Sequence, residues 1–320
     1  MKIFKRVLTL ILLVLVLALA GGMIFLNSVK TRAVPDYNAP VDLEALSAPV
    51  EVYRDSLGIP HIYAANEADL YRAVGYVMAQ DRLWQLDLMR RLTTGRLSEV
   101  LDPGLVEADL LFRALDFPGK SRKVLAQTDP EILACLEAFA DGVNQFIDQN
   151  RKKLSFEFTL LGYEPDPWES IHTLNLIGYM AWTLRSGWNT EMSLYKLQKA
   201  VSDTLFQELL PDMQHHNIPV FPAFMSGAGS PELISSMDDA IGIIEELGLQ
   251  VFEASNNWAV SGQKSETGMP IMSNDMHLGL NSPGIWYQMH HVIEGQLNVT
   301  GVVLPGAPFV IAGHNEDLAW

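Results

Sequence analysis

Ala254-Ser255-Asn256-Asn257-Trp258-Ala259-Val260-Ser261-Gly262 sets a serine at the head of an alternating run. Trp258, Val260 and Gly262 alternate with Asn257, Ala259 and Ser261, and the aromatic and β-branched members suit a pleated, half-buried surface. Gln263 to Gly268 is polar and ends in glycine, which predicts a hairpin connection, and Met269 to Ser273 is then the return strand. Ser255 therefore stands at the open end of a hairpin in mid-chain. Periodicity alone makes it a strand-cap hydroxyl, so any chemistry must come from its surroundings.

Downstream, the pattern predicts only sheet. Ile285–Ile293 is a strand, Glu294-Gly295 a turn, Leu297–Leu304 the return, and Phe309–Ala312 a further strand before His314-Asn315-Glu316-Asp317. Upstream, the soluble domain opens near Pro49. Val50–Asp55 alternates like a strand, Leu57-Gly58-Ile59-Pro60 turns, and His61–Ala64 resumes extension. His61 has no second ligand at helical or hairpin spacing and is read as structural.

Helices dominate the stretch between. Asn66 is an N-cap with Asp69 as its capping-box partner, ahead of a stripe of Leu70, Val74, Val77, Trp84 and Leu88. Asp81 falls on that stripe and needs a partner to survive burial; Arg82, Arg90, Arg91 and Arg96 are nearby in sequence. Thr128-Asp129-Pro130 starts another helix, with Ile132, Leu136, Phe139, Val143, Phe146 and Ile147 as its core face. Two prolines in Tyr163–Trp168 break the chain, and Ser170 opens a Leu-, Ile- and Met-rich helix to about Trp182, whose Met180 and Trp182 line either the core or an acyl pocket. Asn189 caps the next helix, which carries Glu191 in its first turn. Helices followed by hairpins imply an α+β build.

The two ends of the helical part differ in character. Val7 to Leu26 is apolar apart from Thr9 and a few small residues, long enough to cross a bilayer, and Lys2, Lys5 and Arg6 ahead of it favour a cytoplasmic N-terminus. The segment is either an uncleaved anchor or a signal cut after Ala18-Leu19-Ala20; its continuation through Met23–Leu26 favours the anchor. The domain then faces the periplasm or exterior. Residues 33–48 read as a Pro-bearing linker, and residues 226–254 as a Gly-bearing, acidic spacer; His215 and His216 are read as loop histidines.

Net charge is −16, and all 38 acidic residues but only 17 of the 22 basic ones lie beyond residue 32. No long run of Lys and Arg of the kind that tracks a nucleic-acid backbone is present in this acidic chain, which excludes nucleic acid as a partner. Cys135 is the single cysteine, so no internal disulfide forms. Neither a Walker A loop, a HExxH helix, a CxxC pair nor a G-x-S-x-G elbow is present.

Ser255-Asn256-Asn257-Trp258-Ala259-Val260-Ser261-Gly262, with Ser273-Asn274-Asp275-Met276-His277-Leu278-Gly279 and Gly313-His314-Asn315-Glu316, resembles the penicillin acylase family of N-terminal-nucleophile hydrolases, which includes acyl-homoserine-lactone acylases. Residues 49 to about 200 resemble its α-chain. The resemblance implies part of a four-layer αββα sandwich: membrane or signal segment 1–32, linker 33–48, α-chain region 49–225, spacer propeptide 226–254, and the start of a β-chain at 255–320. It implies self-cleavage before Ser255, which becomes the catalytic nucleophile with its own amine as base, and a supporting catalytic role for His277. It further implies that Glu191 is one metal ligand for a calcium ion joining the two chains; calcium takes six to eight oxygens, so one Glu cannot hold it alone. The substrate it implies is an acyl amide of a penicillin-like or other N-acyl molecule. The oxyanion donors are expected beyond Trp320, so these 320 residues are expected to be the inactive N-terminal part of a precursor. The competing reading is an unprocessed, membrane-tethered binding or structural protein on the same scaffold.

Overall fold

A computed structural model describes residues 2–184, 187–210, 231–247, 254–279 and 281–320. His215, His216 and, within the spacer, residues 226–230 and 248–253 lie outside them. The chain opens with α1 (Lys2–Arg32), then β1 (Glu51–Arg54), β2 (Pro60–Ala64) and α2 (Glu67–Thr94). Among the described residues eight α-helices follow: α3 (Val106–Leu115), α4 (Phe117–Leu125), α5 (Pro130–Asn150), α6 (Phe156–Leu161), α7 (Ser170–Thr183), α8 (Gly187–Ala200), α9 (Asp203–Leu209) and α10 (Pro231–Glu246). The strands β3 (Ala254–Val260), β4 (Ile271–His277), β5 (Tyr287–Ile293), β6 (Leu297–Val303) and β7 (Ala312–His314) complete it. The α+β class is as expected.

These elements form two compact units. The first comprises residues 1–91, 122–174 and 286–320, and the second residues 92–121 and 175–285. In the first, a sheet of order β1-β2-β5-β6-β7 is antiparallel except where β2 runs parallel to β5, with His61 opposite His290. Its inner face, through Ile62, Met289, Ile293 and Val303, joins one core with Leu70, Val74 and Met78 of α2 and Phe139, Val143 and Ile147 of α5. Each such side chain, fully buried, contributes roughly 1.5–3 kcal/mol. The opposite face carries Tyr53 and Tyr63, both exposed. One helical layer on one sheet is thus assembled in this unit.

Local signals predict several boundaries well. Asp129 caps α5 by accepting from the Glu131 N–H at 2.9 Å, with Pro130 in the first turn. Asn66 caps α2 through the Asp69 N–H at 2.9 Å. The expected capping box does not close, however: the Asp69 carboxylate is buried and accepts instead from the Ser47 hydroxyl at 2.6 Å and from the Ser47 and Ala48 N–H groups. Burial pushes the Asp69 carboxyl up, but these donors and the Asn66 amide outweigh it and hold it below the usual carboxylate range.

The stripe on α2 also shifts. The helix is interrupted at Arg82 (φ −138°, ψ 15°), so beyond it Leu83 and Leu86 are buried in place of Trp84 and Leu88, which are half-buried. On α5, Ile132 is exposed, one turn short of the core. Helix α8 starts at Gly187, which puts Asn189 inside it and not at its cap. Phe309–Ile311 is no strand; β7 starts at Ala312.

The stretch 33–48 is bonded to the domain along its length. Gln149 Nε2 donates to the Asp42 carbonyl, Glu44 N–H to Gln145 Oε1, and Arg72 to the Ala45 carbonyl. Tyr37 OH donates to Asp81 Oδ1 at 2.8 Å.

On β5, His291 is buried with no hydrogen-bond partner for Nε2. Burial, aided by neighbouring His290, pushes its pKa down to about 4. The unfolded chain, with an ordinary imidazole near 6.5, binds this proton first as pH falls. Stability from this site is therefore complete above about pH 6.5 and is lost progressively toward pH 4, on the order of 3 kcal/mol in all. Thermal unfolding of full-length protein between pH 7 and 4.5 should show this slope, and His291→Leu should flatten it; parallel slopes would disprove the assignment.

Candidate active site

In the second unit, β3 and β4 pair antiparallel over seven residues, joined through a 3₁₀ turn at Gly262–Lys264. The return strand is Ile271–His277, two residues later than its predicted start and four later than its predicted end. The register places Ser255 opposite Met276 and Ala254 opposite His277. Ser255 is exposed at the open end of the hairpin, one residue past the start of β3.

Because side chains alternate along each strand, Ser255 and Met276 point to one face while Asn256, Asp275 and His277 share the other. Asn256 Nδ2 lies 3.0 Å from His277 Nε2. An amide nitrogen only donates, so Nε2 is the acceptor and the imidazole proton sits on Nδ1, 3.3 Å from Asp275 Oδ1. Asn256, His277 and Asp275 thus form a chain of polar contacts on the backbone segment next to the serine. The first and last of these belong to quoted motifs, but their contact with His277 follows only from the register. In the uncut chain the Ser255 nitrogen is an amide, which has no basicity to lend its hydroxyl.

Glu191 falls on α8, and its side chain lies outside the described residues. Among the described residues no three His, Cys, Asp or Glu side chains converge on a metal-sized site.

In the first unit, Asp81 and His61 are both paired. Asp81 is a buried-side carboxylate, but its cation is Arg54 of β1 at 2.8 Å and none of the nearby arginines. Tyr37 and Tyr287 donate their hydroxyls to the same carboxylate. Burial first and the Asp81 charge second push Tyr37 up to about 12 and raise Tyr287 further, so both stay protonated donors. Of the nearby arginines, Arg90 and Arg91 bind Asp87, and Arg96 binds Glu99. His61 Nδ1 meets His290 Nδ1 at 2.8 Å, and His290 Nε2 meets Asn298 Oδ1 at 2.8 Å. These residues make a structural brace across β2, β5 and β6.

A family model described as penicillin amidase matches residues 49–320. Penicillin acylase 2 proenzyme of Pseudomonas sp. (strain SE83) is 32% identical over 293 residues, covering 90% of this chain and 38% of that protein. Acyl-homoserine lactone acylase QuiP of Pseudomonas aeruginosa is 29% identical over 308 residues, covering 95% of this chain and 36% of that protein. A solved structure, thermostable penicillin G acylase from Alcaligenes faecalis, is similar with a TM-score of 0.45 and 28% identity, covering 57% of this chain and 98% of that one. The chain spans less than two-fifths of the length of these two curated relatives.

Proposed function

The chain belongs to the penicillin amidase family, and on that premise we propose that it is the N-terminal part of a self-processing amidohydrolase whose nucleophile is Ser255. The observation that carries this reading is the hairpin itself: an exposed serine at the second position of β3, inside the family match, beside a polar Asn256–His277–Asp275 chain. A Pseudomonas relative is itself named a proenzyme.

A hydroxyl needs a base to become a nucleophile, and a free α-amine, with an ordinary pKa of about 7.7–8.0, can serve near neutral pH. Cleavage begins with Ser255 Oγ attacking the Ala254 carbonyl carbon. The Ala254–Ser255 C–N bond breaks as the ester forms, and the departing amine takes the hydroxyl proton. Water then opens the ester, leaving a carboxylate on Ala254 and a free amine and hydroxyl on Ser255. In turnover, the freed amine takes the Oγ proton while Oγ attacks a substrate amide; the amine product leaves, and water releases the acid from the acyl-enzyme. His277 supports this from the adjoining register position, where its backbone shapes the approach to Ser255 and its ring holds Asn256.

The substrates fitting this chemistry are penicillin-like or other N-acyl amides, such as acyl-homoserine lactones. Incubating the full-length protein with a panel of acyl amides tests it. Release of free acid, together with a fragment beginning at Ser255, is expected; a matured fragment inactive on every member would remove the amidohydrolase reading while leaving self-cleavage.

Calcium, with Glu191 as one ligand and the others from the β-chain, is proposed as the joint between the two mature chains. In full-length protein, Glu191→Ala should lower the yield of matured enzyme severalfold while turnover per matured molecule falls less. Metal analysis finding no calcium in the parent, with unchanged maturation in the variant, would remove it.

We place the domain outside the cytoplasm, held by α1 as an anchor. Phe4–Ser28 is long and apolar enough to cross a membrane, and its side chains are exposed.

A further inference from the structure

Where α1 leaves its apolar stretch, the chain builds a small recess with an unusual charge. Arg32, four residues beyond Ser28, donates from Nη2 to the Thr159 hydroxyl of α6 at 3.1 Å. The recess there has a volume of about 320 Å³, with buried Leu154 and Phe158 as its floor and Arg32, Arg151, Thr159 and Glu164 on its rim. The geometry points to a site for the phosphate headgroup of an anionic phospholipid, at the surface of the bilayer that α1 crosses; this rests on the anchor reading above.

Depth is the first argument. A helix rises 1.5 Å per residue, so Arg32 lies roughly 6 Å past the end of the apolar segment, within the headgroup layer. Charge is the second. The chain as a whole carries −16, yet Arg151-Lys152-Lys153 stands in one exposed 3₁₀ turn, in which Arg151 lines the recess and Lys152 and Lys153 follow it in sequence. Arg151 is matched by Asp148 at 2.7 Å and Glu164 at 2.8 Å, which hold its guanidinium in place. Lys152, Lys153 and Arg32 have no ion pair among the described residues, and Glu157 is the other acid of this segment. Their charge is available to a phosphate.

Donor chemistry is the third argument. Thr159 Oγ1 accepts from Arg32, which leaves its own hydrogen to donate, and Arg32, with further N–H groups beyond the one bonded to Thr159, lines the same recess. Leu160 adds an apolar contact. It follows Thr159 on α6 and is 67% exposed, an expensive position in water and a favourable one among acyl chains.

The test uses full-length protein in nanodiscs of phosphatidylcholine alone or of equal parts phosphatidylcholine and phosphatidylglycerol, with hydrogen exchange followed in residues 151–163. The anionic lipid is expected to slow exchange there. A basic side chain at an anionic surface is worth roughly fivefold in affinity, so Lys152→Gln with Lys153→Gln, and separately Arg32→Gln, should remove most of that protection. Equal exchange in both lipids, with the protein still floating on vesicles, overturns the headgroup site and spares the anchor. Failure to float, or a mature N-terminus near Gly21, overturns both. If inorganic phosphate alone protects the segment in detergent as well as the anionic lipid does, the recess takes free phosphate and the lipid proposal fails.

Discussion

Full-length precursor carrying Ser255→Ala is expected to run as one uncut chain and to release no acid from any acyl amide. The substitution deletes the oxygen that forms both the processing ester and the acyl-enzyme, and removing a serine nucleophile in other hydrolases costs on the order of 10⁶ in kcat. Misfolding is a poor alternative explanation here: Ser255 is exposed, contributes nothing to the core, and keeps its backbone pairing with Met276 as alanine. Ser255→Cys separates the two reactions. A thiol is the stronger nucleophile and can form the thioester, so processing continues while amide turnover drops in a site shaped for oxygen. Gel analysis with N-terminal sequencing reads the first reaction, and acid release the second. Cleavage at Ala254–Ser255 together with amide hydrolysis in the alanine variant would leave Ser255 a strand cap and end the mechanism.

What sequence could reveal was set by how local its cause is. The caps of α2 and α5 and the β3–β4 hairpin depend on residues a few positions apart, and each was readable from Asn66, Asp129-Pro130 or the alternation after Ser255. The parallel pairing of β2 with β5 joins residues 229 apart and carries no local signal, so the partner of His61 could not be named. Asp81 showed that it needed a cation, but the fold supplied Arg54 from an edge strand over the four arginines that follow in sequence. The stripe on α2 failed beyond Arg82 because one non-helical residue rotates everything after it. At the candidate site, Ser255 and His277 were legible from the wording of their segments. That they point to opposite faces follows from a register that a one-residue shift would reverse. The stretch 33–48 has the composition of a linker; its bonds to α2 and α5 depend on single acceptors and donors such as Asp69 and Gln145.

Two glycines that no pattern singled out are expected to be among the least replaceable residues of the first unit. Gly75 and Gly142 lie inside α2 and α5, where glycine costs roughly 0.5–1 kcal/mol relative to alanine, so replacement by Ala in an isolated helix would stabilise it. Here the two backbones touch. A Cβ on Gly142 would stand 1.9 Å from the Arg72 carbonyl oxygen and 2.9 Å from the Tyr76 nitrogen, and one on Gly75 would stand 2.1 Å from the Phe139 carbonyl oxygen. The obstacles are backbone atoms, which cannot rotate away, so the helices must separate and pull Leu70, Val74, Phe139 and Val143 apart with them. Gly142→Ala should therefore destabilise by about 3 kcal/mol or more, against total stabilities of about 5–15 kcal/mol for single domains, and Gly142→Val should leave little folded protein. Gly242 of α10 has nothing within 4 Å of its would-be Cβ, and Gly242→Ala should be neutral or slightly stabilising. Thermal unfolding of the full-length variants decides it: a Gly142→Ala protein as stable as its parent would mean that α2 and α5 do not pack backbone to backbone, and the core drawn between them and the sheet would be wrong.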